Sequence, residues 1–176
     1  MADPPKTTPQ EAGPRGQQGS GEPGRPQTVF SLSEEETLEL GRTLARNMKG
    51  GELVLLEGEL GLGKTVFARG IAVGLGIAAE DVSSPSFTLV QEYRGGRKPM
   101  FHVDLYRLDS VEDIGTLGLE EILSASGVVV VEWAEKLPVY YRRGAITVRF
   151  HDVGEGSRRI EILGLTDSSP ERRGDA

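Results

Sequence analysis

The 176-residue chain contains no cysteine. Disulfides, thiolate nucleophiles and zinc sites built on sulfur are therefore excluded. Histidine is nearly as scarce: His102 and His151 are the whole supply, too few for a histidine-rich metal centre. No stretch approaches the roughly 18 apolar residues that a membrane-spanning helix requires. Met1 is followed by neither an apolar h-region nor an Arg-rich amphipathic pattern. The expectation is a cytoplasmic protein with no membrane partner. Positive charge is also in deficit. A net charge of −7 argues against a protein that grips nucleic acid through a broad basic surface of its own, but not against work on nucleic acid through a partner.

Apolar side chains are missing almost entirely from residues 1–27, where 11 positions are Gly or Pro. Such a segment cannot bury enough surface to offset its ordering entropy, so it reads as a disordered tail, as does 166–176, "TDSSPERRGDA". That leaves one domain of ordinary size at 28–165.

Within this domain the periodicities are informative. "SLSEEETLELGRTLARNM" carries Ser33 and Glu36 at capping-box spacing and places Leu40 and Leu44 on one helical face. "ELVLLEG" is a short apolar strand. Phe67, Ile71 and Leu75 follow Lys64 at helical spacing until "GLG" stops the run. Phe87–Tyr93 and Pro99–Tyr106 have strand character on either side of an "RGGR" turn, and "SVEDIGTLGLEEIL" reads as an irregular helical stretch. "GVVVVEW" is a buried central strand, and "AITVRFH" and "SRRIEILGL" form a terminal hairpin around "DVGEG". Together these predict an α/β fold with a largely parallel central sheet and a C-terminal β-hairpin; the Gly58–Thr65 loop between an apolar strand and a helix makes it the three-layer P-loop NTPase type.

The chemistry centres on "GELGLGKT", Gly58–Thr65. Gly58, Gly63, Lys64 and Thr65 satisfy every fixed position of the Walker A pattern. Glycines let successive N–H groups converge on phosphate oxygens, and the following helix aims its positive end at the same anion. Gly58, Gly61, Leu62, Gly63, Lys64, Thr65 and Val66 are thus the predicted phosphate-binding set. Lys64 reaches the β- and γ-phosphates, and the Thr65 hydroxyl ligates Mg²⁺. The metal also needs an acid at the end of a neighbouring strand. Glu132, directly after Val128–Val131, stands where a Walker B acid belongs; Asp104, after "MFHV", is the other candidate. The hydroxyls of "SSPSFTLV" suit either contact with a γ-phosphate or a turn entering a strand. Trp133, the only tryptophan, packs over the site or in the core. His102 reads as a packed histidine and His151 as a hairpin residue. Arg142, Arg143, Arg158 and Arg159 form either a small basic patch near the site or a solvated face. No guanine-reading Asn-Lys-x-Asp pattern is present, which favours adenine.

The strings "GELGLGKT", "SSPSFTLVQEY", "FHVDLYRL", "GLEEIL" and "VEWAEKLP", in this order, resemble the TsaE (YjeE) family over about residues 28–165. The resemblance implies a slow, Mg²⁺-dependent ATPase. It would act on the TsaB and TsaD proteins, which place threonylcarbamoyl on the adenosine beside the anticodon of tRNAs reading ANN codons. The tRNA is then reached only indirectly. It also implies that Thr65 and Glu132 hold Mg²⁺, that Asp104 is required for hydrolysis, and that Trp133 belongs to the same strand-end motif. An acid early in the first helix lies near the base; Glu34 is the best match, with Glu35 and Glu36 adjoining it. Ser86 departs from the family pattern, which commonly has Thr there. Two other classes compete with this reading. A small-molecule kinase would need an Arg-rich lid, for which the chain offers no long insertion. A non-catalytic nucleotide switch would bind ATP without turnover.

Overall fold

A computed structural model describes residues 26–165. The segments read as tails lie outside that range, apart from Pro26 and Gln27, and Gln27 opens a strand. Seven strands build one sheet: β1 (Gln27–Ser31), β2 (Leu53–Glu57), β3 (Val90–Tyr93), β4 (Met100–Asp104), β5 (Val128–Glu132), β6 (Ile146–Gly154) and β7 (Ser157–Leu163), in the order β1-β7-β6-β2-β5-β4-β3. The inner four, β6-β2-β5-β4, run parallel; β1, β7 and β3 close the two sides antiparallel. The α/β expectation therefore holds, with the parallel part confined to the centre. The terminal hairpin is β6–β7.

Core clusters lie on both faces of the sheet. Val54, Leu56, Val128 and Val130 face α1 (Glu34–Ala45) and α2 (Lys64–Leu75). Leu55, Val129 and Val131 face α3 (Val111–Gly115) and α4 (Leu119–Ser124). A strand covered on both faces must be apolar at every position, which is why the valine run sits in the interior between β2 and β4. The predicted capping box forms with a variation. Ser33 Oγ accepts from the Glu36 N–H at 3.1 Å. The Glu36 carboxylate accepts from Leu32 N, one residue before the cap, at 2.7 Å.

Two expectations need adjusting. The strand expected from Phe87 begins only at Val90. The reason is Leu89, which takes a left-handed backbone with φ 63°, a region that side chains other than glycine rarely occupy. Its N–H donates back to Pro85 O at 2.6 Å. β1 is an element the sequence reading did not contain.

The two helices of one layer meet main chain to main chain. A methyl group on Gly70 of α2 would lie 2.1 Å from Leu38 O of α1. One on Gly41 would lie 2.3 Å from Phe67 O, and one on Gly74 2.5 Å from Arg42 O. These glycines are fixed by contact, not by turn geometry. Gly70→Ala should therefore destabilise by about 1–3 kcal/mol through overpacking, even though alanine is intrinsically the better helix former. Gly115→Ala in α3, where a Cβ meets no atom within 4 Å, should be neutral or stabilising. Urea midpoints compare the two; an equal response at both positions would contradict this reading of the helix contact.

Candidate functional site

Three parallel strands end at one edge of the sheet, where crossover connections leave a crevice at their carboxyl ends. Strand β2 ends at Glu57, and the Gly58–Gly63 loop carries the chain into α2. Register places Asp104 directly opposite Glu132 and Glu132 beside Leu56 of β2. The two candidate acids and the glycine loop, distant in sequence, thus share one cleft of about 480 Å³. Its walls include Glu34, Gly61, Gly63, Lys64, Thr65, Val66, Asp104, Glu132 and Trp133.

The loop backbone is built for an anion. Gly61 adopts φ 80° and Gly63 φ 94°, a conformation that side chains disfavour. Among the described residues, no carbonyl or side chain accepts from the N–H groups of Gly61 through Val66. A run of unspent donors at the positive end of a 12-residue helix fits phosphate oxygens. Gly58 serves differently: a Cβ there would sit 2.7 Å from Phe150 O, so glycine lets the loop pass close to β6. Leu62 turns its side chain into the core.

Lys64 is buried, and its ammonium donates to Gly58 O (2.5 Å) and Glu59 O (2.7 Å). Burial pushes its pKa below the usual lysine range, while the carboxylates of Glu132, Glu135 and Asp104 pull the other way. The Trp133 ring lies under this ammonium, 3.9 Å from Nζ to centroid, and packs against Tyr106 at 4.9 Å, an attractive placement for a cation over a ring face. Trp133 therefore packs over the site, held in a left-handed backbone (φ 57°) directly after Glu132.

Glu132 is almost wholly buried. Thr65 Oγ1 donates to its Oε2 at 3.0 Å, and His102 Nε2 lies 2.8 Å from its Oε1. Asp104 is equally buried and fully engaged. Its Oδ2 accepts from Ser84 Oγ (2.7 Å) and Ser86 Oγ (2.6 Å), and its Oδ1 from the Tyr106 N–H (2.9 Å). The serine-rich loop thus bonds to Asp104. Serine at 86 supplies the hydroxyl that this bond uses. Among the described residues, no cluster of three or more His, Asp or Glu is arranged around a single metal position. The donor set here, one hydroxyl beside one carboxylate, suits Mg²⁺, which keeps several waters and completes its shell with phosphate oxygens.

The three adjoining glutamates separate clearly. Glu36 is spent on Leu32 N. The Glu35 carboxyl is held low by its own backbone N–H and by Ser33. Glu34 is the one that lines the cleft. The four arginines do not form one patch: Arg158 stands against the loop, its Nη1 donating to Thr37 Oγ1 at 3.0 Å and lying 3.4 Å from where a Cβ on Gly63 would be, whereas Arg142 pairs with Glu57, Arg159 lies 3.4 Å from Glu161 and Arg143 is exposed. Sequence reasoning missed the His102 contact with Glu132, and missed Leu60, Tyr106 and Arg107 in the cleft wall. The signal for His102 was its position two residues before Asp104, on the same face of one strand.

Among the described residues, no helix is long and apolar enough to cross a membrane.

A family model described as "Threonylcarbamoyl adenosine biosynthesis protein TsaE" matches residues 31–160. The chain is 41% identical over 140 residues to the tRNA threonylcarbamoyladenosine biosynthesis protein TsaE of Nostoc sp., covering 76% of this chain and 83% of that protein. It is 37% identical over 132 residues to the protein of the same name from Treponema pallidum, covering 75% and 96%. The crystal structure of Bacillus subtilis YdiB superposes with a TM-score of 0.63 at 33% identity, covering 79% of this chain and 85% of that one.

Proposed function

Because the chain belongs to the TsaE family of tRNA threonylcarbamoyladenosine biosynthesis proteins, we propose that it is the Mg²⁺-dependent ATPase of that pathway, acting on TsaB- and TsaD-like partners and reaching tRNA only through them. The observation that carries this reading is the meeting of Thr65 and Glu132 at 3.0 Å, beside the buried Lys64 ammonium and a run of unspent loop N–H groups. Metal and phosphate donors converge at one spot, with an ionisable acid, Asp104, directly across.

In this reading the N–H groups from Gly61 to Val66 bind the phosphate chain, and Lys64 supplies the fixed positive charge at the β- and γ-phosphates. Thr65 and Glu132 hold Mg²⁺, which when bound neutralises charge on the phosphate oxygens. Asp104 orients the attacking water, or the serine loop that closes on it, so that its contribution falls chiefly in the transition state. Trp133 shields the lysine from solvent, and Glu34 stands on the wall where the base would lie. Phosphoryl transfer needs positioning and electrostatics more than covalent chemistry, and this cleft supplies both.

The test is phosphate release measured with and without Mg²⁺, for the chain alone and mixed with TsaB and TsaD proteins. Slow turnover alone and faster turnover in the mixture are expected. No Mg²⁺-dependent hydrolysis in either condition would overturn the ATPase reading, and transfer to a small acceptor would make the protein a kinase.

A further inference from the structure

His102 is completely buried on β4, yet it is neither an acid at the cleft nor part of the apolar core. Register sets it beside Val130 of β5, two residues before Glu132, with both side chains on the face covered by α2. Its Nε2 lies 2.8 Å from Glu132 Oε1. Its Nδ1 is also buried and has no hydrogen-bond partner among the described residues.

This asymmetry fixes the arrangement of the ring. With the proton on Nε2, the imidazole donates to a carboxylate oxygen and leaves a bare acceptor lone pair at Nδ1. With the proton on Nδ1, an N–H would be buried without an acceptor, and two lone-pair atoms would face each other across the short Nε2–Oε1 gap. Stranding a donor and setting lone pairs against each other costs more than leaving one acceptor unmade. The Nε2–H tautomer is the one this geometry selects.

From this we infer that His102 is a positioning residue for Glu132: its Nε2–H holds Oε1 so that Oε2 is presented to Thr65 and to the divalent cation of the proposed site. The inference rests on the Mg²⁺-ATP reading above. A glutamate side chain has three rotatable bonds, so a carboxylate at a strand end would otherwise sample several orientations. Bonds at both oxygens, His102 on one and Thr65 on the other, leave one. Partners that hold a metal-binding carboxylate in this manner typically change metal affinity by about 10–100-fold when removed.

The test uses two substitutions in the full chain. His102→Met removes the donor while keeping apolar bulk; His102→Gln restores an N–H at the end of a side chain of similar reach. ATP binding is titrated by calorimetry against free Mg²⁺ and again in EDTA, with thermal melts to confirm folding. His102→Met should raise the Mg²⁺ concentration for half-maximal binding about 10–100-fold, leave binding in EDTA unchanged, and be partly rescued by His102→Gln. A folded Met variant with the wild-type Mg²⁺ dependence overturns the role of His102. A wild-type chain whose ATP affinity ignores Mg²⁺ overturns the metal-site reading, and this inference with it. Should the Met variant fail to fold, nitrogen chemical shifts of His102 in the unliganded wild type decide the question: a proton on Nε2 supports the inference, and a proton on Nδ1 alone overturns it.

Discussion

Replacing Lys64 with methionine should lower ATP affinity by roughly 100-fold or more, since each charge-assisted contact to phosphate is worth about 1.5–3 kcal/mol and this ammonium reaches two phosphate groups in the proposed complex. The unliganded fold should not suffer in proportion. Burial lowers the Lys64 pKa in the folded chain, so the folded state holds that proton less firmly than the unfolded state does. For a lysine shifted downward, the charged form opposes folding at every pH below the folded pKa, and the opposition fades only as the pH rises towards the unfolded value. At neutral pH the charge is thus a folding cost, one that phosphate in the proposed complex would offset, and methionine, with similar length and no charge, removes it. Calorimetry and a thermal melt on the same variant check both halves. Unchanged ATP affinity would remove Lys64 from the phosphate site, and a collapse of the melting temperature would show that its two carbonyl contacts hold the loop together.

The second large effect separates the two acids that face each other across β4 and β5. Asp104→Asn should keep ATP affinity and lose turnover by roughly 10²–10⁴-fold, the range seen when a positioned acid–base group is removed. The asparagine conserves size, and the Ser84 and Ser86 hydroxyls can reverse their bonds towards it. Glu132→Gln should instead weaken the Mg²⁺-dependent part of binding, because a hard cation prefers an anionic oxygen. If Asp104→Asn loses the metal dependence and Glu132→Gln retains it, the two roles are exchanged.

What the sequence made legible was local. The Walker A loop, the helix after it, the valine strand and the terminal hairpin each declare themselves within a short window, through period and turn chemistry. The resemblance also placed Glu34, Asp104, Glu132 and Trp133, and all four line the cleft with the loop. The contents that were missed depend on contacts between segments far apart in the chain. Strand β1, "QTVFS", is too short to show a period and emerges from a Pro-rich stretch; pairing with β7 makes it a strand. The start of β3 shifted because Leu89 adopts a left-handed backbone that its residue type does not announce. His102 gains its role from the register between β4 and β5. Gly41, Gly70 and Gly74 read in sequence only as weak points of two helices, and contact geometry shows why nothing larger fits.

Those glycines also settle how the cleft can move. Two helices separated by side chains can slide, because rotamers absorb the displacement; here backbone oxygens sit where a methyl group would have to be, so no compliant layer lies between them. Helix α1, with Glu34 at its tip, and helix α2, with Lys64 and Thr65 at its start, should therefore move as a single beam that keeps the spacing from Glu34 to the loop. The opposite wall is different in kind. Between ends anchored by the Tyr93 hydroxyl at Ser83 and the Asp104 N–H at Leu89 O, the serine loop is held at Ser84 and Ser86 by two hydroxyls on one carboxylate oxygen. Beyond the buried Leu105, the next turn is held by Lys136 donating to Tyr106 O and Leu108 O. Such fastenings exchange partners without repacking a core. The cleft is therefore a vise with one fixed jaw, and any closing over the nucleotide of the proposed complex would fall to the serine side.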